Sequence, residues 1–537
     1  MAAPMIQRRI VLSAGLLVMA FALVGVRLLD VMVMKGRVTG ATAEISDRPH
    51  AKRADLLDRN GHLLARNLPV ADLYAEPAAL KDLPEADRRQ DVQNLALAAG
   101  VSEQRLTKEF HSKHSHVLIA LRLPPDVQER VNHLGMPGLE FDPAEKRYYP
   151  QGFAAVQVIG STDPDGNGTA GLELGLDRTL KSSTDGVAVS LDMRVQYALS
   201  HEIEEARKEF GARAAGGIVL NVNTGEILAM ASLPDSESDA SVLQGVDPRR
   251  NRMAADDYEL GSVFKIFAFA LAMEDHTTRL DEVFPIGAGL KIGRFTIHDA
   301  EHMPATLAAR DILALSSNPG TAQIALRSGA QRQREFLGHL GLLSAVRSEL
   351  PERQSPIYPR NNWGEVETAT IGFGHGISVT PLAFVTAAAT IVNGGRRSVP
   401  TFLKHPEDAR GEQLIKPETS ATMRGLLRYV VTNGTGKKAD VPGYDVGGKT
   451  GSAEKNNGHV YVAHKLITSF CGVFPIDDPR YLVFVMLDEP HGTKETFGVA
   501  LAGFTAAPLA GKVIARIAPM LGVPPAAPTR TATKENS

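Results

Sequence analysis

Cysteine is nearly absent from this 537-residue chain: Cys471 stands alone, which excludes an internal disulfide framework and any zinc cluster built on thiolates. An excess of one charge is lacking too, since 58 lysines and arginines against 61 aspartates and glutamates leave a net −3. Neither half is a basic block, which argues against nucleic acid as a main partner. Glycine, 49 residues, and proline, 32, stand near average usage, so the chain is neither collagen-like nor low-complexity. A second apolar run of membrane-spanning length is also missing. What is present is a chain 43% hydrophobic and 22% charged, long enough at roughly 100 to 200 residues per domain for two to four domains and a large core.

The one long apolar run lies at the start. From Ile10 to Val26 no charge interrupts it, and Leu28 to Met34 extends it past Arg27 and Asp30. About 17 to 25 residues span a bilayer as helix. Arg8 and Arg9 suit a cytoplasmic tail over residues 1–9, although Arg27, Lys35 and Arg37 blunt the charge bias. Ala20-Phe21-Ala22 resembles a signal-peptidase site but sits inside the run. Residues 10–34 are therefore expected to be an uncleaved single-pass signal anchor, with everything beyond on one side of the membrane.

Residues 40–190 alternate short apolar pieces with turn signals, among them Asp58-Arg59-Asn60-Gly61 and Asp163-Pro164-Asp165-Gly166-Asn167-Gly168. The pattern predicts a mixed, strand-containing module. Near Asp192 the period changes: Val195, Leu199 and Ile203 recur at helical spacing, so a second domain is expected over 191–522. Gly217–Asn221 and Glu226–Ala231 read as a hairpin around Asn223-Thr224-Gly225, and Leu466–Phe474 and Tyr481–Leu487 as two more strands. Ile266–Met273, Leu307–Leu315 and Pro381–Ile391 between them read as helices, and Gly503–Leu521 as a closing helix. This predicts an α+β domain whose antiparallel sheet, built from both ends of the domain, packs between helices. The Pro/Ala/Thr-rich residues 523–537 read as a disordered tail.

Ser262-Val263-Phe264-Lys265 follows Gly261 and opens an apolar helical run. A serine hydroxyl needs a base within hydrogen-bond reach to act as a nucleophile. Positions i and i+3 share a helix face, which sets the Lys265 amine beside Ser262, and free N–H groups at the helix start can stabilise an oxyanion. Yet Ser-x-x-Lys should occur about once by chance in a chain this long, and it recurs at Ser452-Ala453-Glu454-Lys455. Ser316-Ser317-Asn318 follows downstream, after the helical Leu307–Leu315; it offers a proton relay and an amide to hold a substrate, or simply a capped helix end. Lys449-Thr450-Gly451-Ser452 comes later still, just ahead of the strand from Leu466. It reads either as one wall of a cleft for a peptide carboxylate, with Gly451 letting a substrate backbone approach, or as a glycine-rich turn. The three in this order are far more specific than any one of them, and they form the serine set of penicillin-binding proteins and class A β-lactamases.

Three rival motifs are weaker. Gly443–Thr450 fits a P-loop, with Leu482–Glu489 imitating a Walker B strand, but Pro442 precedes it and Gly451 breaks the helix that should follow. His298-Asp299-Ala300-Glu301-His302 fits a zinc pattern that requires a helix, which Pro304 and the strand-like Phe295-Thr296-Ile297 discourage. Asp163–Glu173 approaches a calcium loop, but Leu174 occupies its closing position, so it reads as a turn.

With these residues in view, the chain resembles the class B penicillin-binding proteins over nearly its whole length. Arg53-Ala54-Asp55-Leu56-Leu57-Asp58-Arg59-Asn60-Gly61, Tyr149-Pro150-Gln151-Gly152, Val158-Ile159-Gly160 and Gly171-Leu172-Glu173 resemble the family's N-terminal blocks. Thr224–Met230, Ile371-Gly372-Phe373-Gly374, Val379-Thr380-Pro381, Asn393-Gly394-Gly395, Gly434-Thr435-Gly436 and Asp488-Glu489-Pro490 resemble its catalytic domain. Departures are Ser452 for a usual threonine, Leu260 and Ile266 for prolines, and Ala54 for a glycine. The wording is most like the septal, cell-division branch; the elongation-specific branch, or a D,D-carboxypeptidase or β-lactam sensor of the same fold, is the alternative.

The resemblance implies a penicillin-binding transpeptidase domain behind a non-catalytic, partner-binding pedestal over 40–190. It further implies a penicillin-sensitive peptidoglycan D,D-transpeptidase needing no cofactor or metal. Ser262 would attack the D-Ala-D-Ala bond of a stem peptide, Lys265 would take its proton, and Ser316 would pass it to the leaving amine. Asn318 would hold the substrate amide, Lys449 and Thr450 the carboxylate, and the Ser262 and Ser452 N–H groups the oxyanion, with Gly451 also among the substrate-binding residues. Implied partners are stem peptides, β-lactams as inhibitors, a glycan polymerase of the SEDS family and other division proteins. The implied location is the inner membrane, with the catalytic domain periplasmic.

Overall fold

The computed structural model describes residues 53–526 apart from 82–83, 112–113, 153, 236–246, 362, 406–410 and 457–460. The tail expected over 1–9 and the anchor over 10–34 lie outside the described residues, as do 527–537. No helix among the described residues is long and apolar enough to cross a membrane.

The turn Asp58–Gly61 joins β1 (Leu56–Leu57) to β2 (Leu63–Ala75). The Asp58 carboxylate builds it, accepting the N–H groups of Asn60 at 2.7 Å and His62 at 2.8 Å. Its other oxygen accepts the N–H of Met193 at 3.2 Å, which ties the turn to the start of the second domain. β2 pairs with both β3 (Val117–Leu123) and β4 (Leu139–Tyr148), and a separate core of Leu73, Leu95, Leu106, Ile119 and Val131 lies beneath. Ala54, Leu56, Leu64, Val158, Leu172 and Leu180 instead belong to one continuous core with Phe264 and Phe384 of the second domain. The expected 40–190 module thus divides into a distal lobe with its own core and a proximal part fused to the domain it supports.

That fused part hides an ionic knot. Glu173, fully buried, accepts Arg53 Nε at 2.6 Å and Arg147 Nε at 2.8 Å, and Arg53 also reaches Asp177 at 2.7 Å. Only the first part of the calcium-like segment, Asp163–Asn167, is a turn; Gly168–Ala170 is a short strand and Glu173 sits in the helix Gly171–Gly175, where it is consumed by two arginines. Removing one member of a buried ion cluster leaves a charge without compensation. Glu173→Ala is therefore expected to lower stability by about 3 to 5 kcal/mol, read from urea denaturation.

In the second domain Asp192 caps α1 (Met193–Glu209), accepting the Arg194 N–H at 3.0 Å, and the predicted stripe Val195, Leu199, Ile203 is buried. β5 (Ala214–Asn221) and β6 (Ile227–Leu233) form the expected hairpin. α2 (Lys265–Glu274), α3 (Ala309–Leu315), α4 (Asn318–Ser328), α5 (Pro381–Val392) and α6 (Pro417–Asn433) fill the middle. β7 (Gly447–Asn456), β8 (Tyr461–Phe474) and β9 (Tyr481–Asp488) complete an antiparallel sheet of order β7-β8-β9-β5-β6, and α7 (Ala506–Met520) closes the domain.

β9 shows why the sheet needs helices on both faces. Leu482, Phe484 and Met486 enter the core with Phe264 and Phe384, while Val483, Val485 and Leu487 alternate into the core with Leu199, Leu509 and Val513. Several boundaries differ from the sequence reading: β8 begins at Tyr461 rather than Leu466, β5 at Ala214 rather than Gly217, and α7 at Ala506 rather than Gly503. Thr306–Ala308 leaves the helical pattern to pair with Val283–Pro285, so α3 begins only at Ala309. The tail expected from residue 523 stays packed further: Val523 is buried, and the Ala526 N–H reaches Gly443 O at 2.6 Å.

Candidate active site

Three distant segments converge on β7, which forms one edge of the sheet. Gly261–Phe264 is a single 3₁₀ turn leading into α2, and it is wedged by backbone contacts that only glycines permit. Gly261 takes φ +60°; a Cβ there would lie 2.9 Å from Ser452 O. A Cβ on Gly374, at φ +84°, would lie 2.1 Å from Gly261 O. A Cβ on Gly451 would lie 2.6 Å from both Leu260 O and Ser469 Oγ. At Gly451 the missing side chain makes room for the chain's own serine segment.

Lys265 and Lys449 are fully buried and meet at one hydroxyl. Ser316 closes α3 in the left-handed conformation, φ +66°. That turn aims its Oγ between the two amines, 3.2 Å from Lys265 Nζ and 2.9 Å from Lys449 Nζ. Lys265 Nζ also donates to Ser316 O and to Asn318 Oδ1, the latter at 2.8 Å. Lys449 Nζ donates to Thr450 O at 2.9 Å and Thr450 Oγ1 at 3.4 Å.

Burial first, and then the Lys449 charge, push Lys265 well below the ordinary lysine range, against a weaker upward pull from Asp299. Burial also lowers Lys449, to about 7. A neutral Lys265 and a charged Lys449 satisfy every contact: two donors and a lone pair on the first, three donors on the second, and Ser316 Oγ accepting from Lys449 while donating to Lys265.

The structure therefore brings Ser262, Lys265, Ser316, Asn318, Lys449, Thr450, Gly451 and Ser452 together, with one departure. The half-buried Ser262 hydroxyl has no hydrogen-bond partner among the described residues, and the Lys265 amine is held by Ser316 and Asn318 in its place. The second Ser-x-x-Lys copy separates. On a strand, i and i+3 face opposite sides; Ser452 Oγ accepts the Ala502 N–H at 3.0 Å, while Lys455 reaches Asp488 at 2.7 Å and Glu489 at 2.8 Å.

Asp299 was hidden inside the zinc-like pentapeptide, where only the histidines drew attention. Residues 298–302 form no helix. The Asp299 carboxylate accepts Ser317 Oγ at 2.7 Å and the Asn318 N–H at 2.6 Å, clamping the turn that carries Ser316. Ser317 is a helix cap, as the bland reading had it, accepting the Gly320 N–H at 3.3 Å. Asp299→Ala frees a strained turn and orphans two donors. Acylation by penicillin should fall by about 10 to 100-fold, read by stopped-flow quenching, because misplaced catalytic groups cost that much. The P-loop candidate is overturned by its path: Gly447 enters β7 and no helix N-terminus follows.

A serine opening a helix and two buried lysines that share a hydroxyl, one of them on the sheet edge, are the arrangement of a serine acyltransferase class. Residues 215–513 match the penicillin-binding protein transpeptidase domain, and residues 48–208 match the penicillin-binding protein dimerisation domain. The chain belongs to the class B penicillin-binding proteins. It is 39% identical over 489 residues to the "Probable peptidoglycan D,D-transpeptidase FtsI" of Caulobacter vibrioides, covering 88% of this chain and 82% of that one. The "Probable peptidoglycan D,D-transpeptidase PenA" of Neisseria meningitidis is 32% identical over 516 residues, covering 90% and 87%. Among solved structures, penicillin-binding protein 3 of Mycobacterium tuberculosis, complexed with aztreonam, superposes with a TM-score of 0.67 at 26% identity, covering 89% of this chain and 97% of that one.

Proposed function

We propose that this protein is a penicillin-sensitive peptidoglycan D,D-transpeptidase of septal wall synthesis, with Ser262 as nucleophile. The observation that carries the reading is the Ser316 hydroxyl bridged between Lys265 and Lys449. A neutral Lys265, its one lone pair turned from Ser316 Oγ to Ser262 Oγ, accepts the Ser262 proton as that oxygen attacks the carbonyl of the penultimate D-alanine. The N–H groups of Ser262 and Ser452 hold the oxyanion, whose loss of one donor typically costs about 10² to 10³ in rate. Ser316 returns the proton to the leaving amine, the C–N bond breaks, and free D-alanine departs. An amine of a second stem then attacks the ester, forms the cross-link and restores the Ser262 hydroxyl. Asn318 orients the donor amide, and Lys449 with Thr450 grips its terminal carboxylate.

The septal assignment draws on the relative named FtsI. The apolar run of 10–34 supports an inner-membrane anchor with the catalytic domain periplasmic. Facing the same compartment, a lipid-linked glycan polymerase of the SEDS family and other division proteins are the partners that such a position favours, with the pedestal as their docking module. The full chain, given a D-Ala-D-Ala stem donor and an amine acceptor, is expected to release D-alanine and form the amide, followed by mass spectrometry. Release of D-alanine with only the hydrolysed acid would assign a carboxypeptidase; no release would contradict the proposal.

A further inference from the structure

We infer that Thr435 is a positioning residue for carboxylate recognition: its hydroxyl donates to Thr450 Oγ1 and holds the Thr450 proton turned toward the cleft. The inference rests on the reading of Lys449 and Thr450 as the grip on the terminal carboxylate. The two threonine oxygens lie 2.6 Å apart, and Lys449 Nζ approaches the same Thr450 oxygen at 3.4 Å. A hydroxyl oxygen accepts at most two hydrogen bonds and donates one. With Lys449 and Thr435 both donating, the acceptor sites of Thr450 are filled and its single proton is left for a ligand oxygen. Without Thr435, the Thr450 hydroxyl is free to turn away, since it is 5% exposed and has little water to hold it.

Thr435 is also placed by its backbone rather than by this contact. Its N–H donates to Ala314 O at 3.0 Å, and the preceding Gly434 packs so closely that a Cβ there would lie 2.1 Å from the same carbonyl. Ala314 closely precedes Ser316 at the end of α3, so the block that aims the Ser316 hydroxyl also presents Thr435 to Thr450. Removing the hydroxyl alone should leave that scaffold standing.

The test compares the full-length wild type with Thr435→Val, Thr435→Ser and Thr450→Val. Substrates are the benzoyl-D-alanyl thioester of mercaptoacetic acid and its methyl ester, which lacks the carboxylate. Thr435→Val is expected to slow acyl transfer from the acid by about tenfold, the effect of one hydrogen bond to a charged-group site. The methyl ester should react within about twofold of wild type, and Thr435→Ser should restore the acid. No change on the acid, an equal loss on both substrates, or failure of serine to rescue overturns the inference. If Thr450→Val itself leaves the acid unaffected, the carboxylate reading fails; if Thr450→Val slows the acid and Thr435→Val does not, this inference alone fails. Should the valine variant show no folding transition, Thr435→Ala carries the same expectation.

Discussion

Lys265→Met is expected to slow acylation by penicillin at least about 10³-fold, at the strong end of what a positioned general base contributes. The side chain is fully buried, so no solvent base can take its place. Methionine fills a similar volume without a buried amine, and the desolvation it relieves offsets the acceptors it orphans on Ser316 and Asn318. The melting temperature should therefore move by only a few degrees, which separates lost chemistry from lost fold. The wild-type pH profile follows from the same pair. Acylation rises with pH as Lys265 loses its proton, because only the neutral amine is a base. It falls again above about 7 as Lys449 loses the charge that holds the carboxylate. The half-buried His375, held down to about 4 first by loss of solvent and then by the Lys265 charge, stays neutral throughout that range. A Lys265→Met protein that acylates at wild-type rate would remove Lys265 from the mechanism.

Gly374→Ala is the second large effect, and it acts from a segment far from Ser262 in sequence. Its Cβ would stand 2.1 Å from Gly261 O, and φ +84° is a conformation that alanine adopts only at a cost. Nothing flexible lies in the way, so the clash is relieved by moving the turn that bears Ser262. A displacement on the order of 1 Å costs about 10²-fold in rate. We expect acylation to fall by that much or more, with a lowered melting temperature, and a Gly374→Ala protein of unchanged acylation would show that the wedge is dispensable.

Much of this site was legible in the residues. Ser262, Ser316 and Lys449 each open a short motif whose chemistry depends on local residue types, and those survive without any knowledge of the fold. The sheet was legible for a related reason: β5, β8 and β9 are apolar runs bounded by turn signals. Gly374 and Thr435 stood in segments resembling the family's catalytic domain without a role attached, and Asp299 only inside a zinc-like motif, so what each does in the site was not legible. Each acts through a contact outside its own motif, Thr435 lying 15 residues from Thr450 and Asp299 18 from Ser317, and a single carboxylate, hydroxyl or hydrogen atom leaves no periodic trace. The twin Ser-x-x-Lys motifs make the same point, since one and the same spacing means a shared face on a helical turn and opposite faces on a strand. The division of the pedestal was hidden likewise, because Leu56 and Leu73 belong to equally apolar stretches and differ only in which core receives them.

The central claim is that Ser262 carries the acyl group, and one measurement meets it directly. Purified protein and its Ser262→Ala variant are incubated with fluorescent penicillin, then resolved by gel and by peptide mass. The account predicts saturable label on the peptide containing Ser262 and none in the variant. Label that persists in Ser262→Ala, or that maps to another serine such as Ser452, would contradict it.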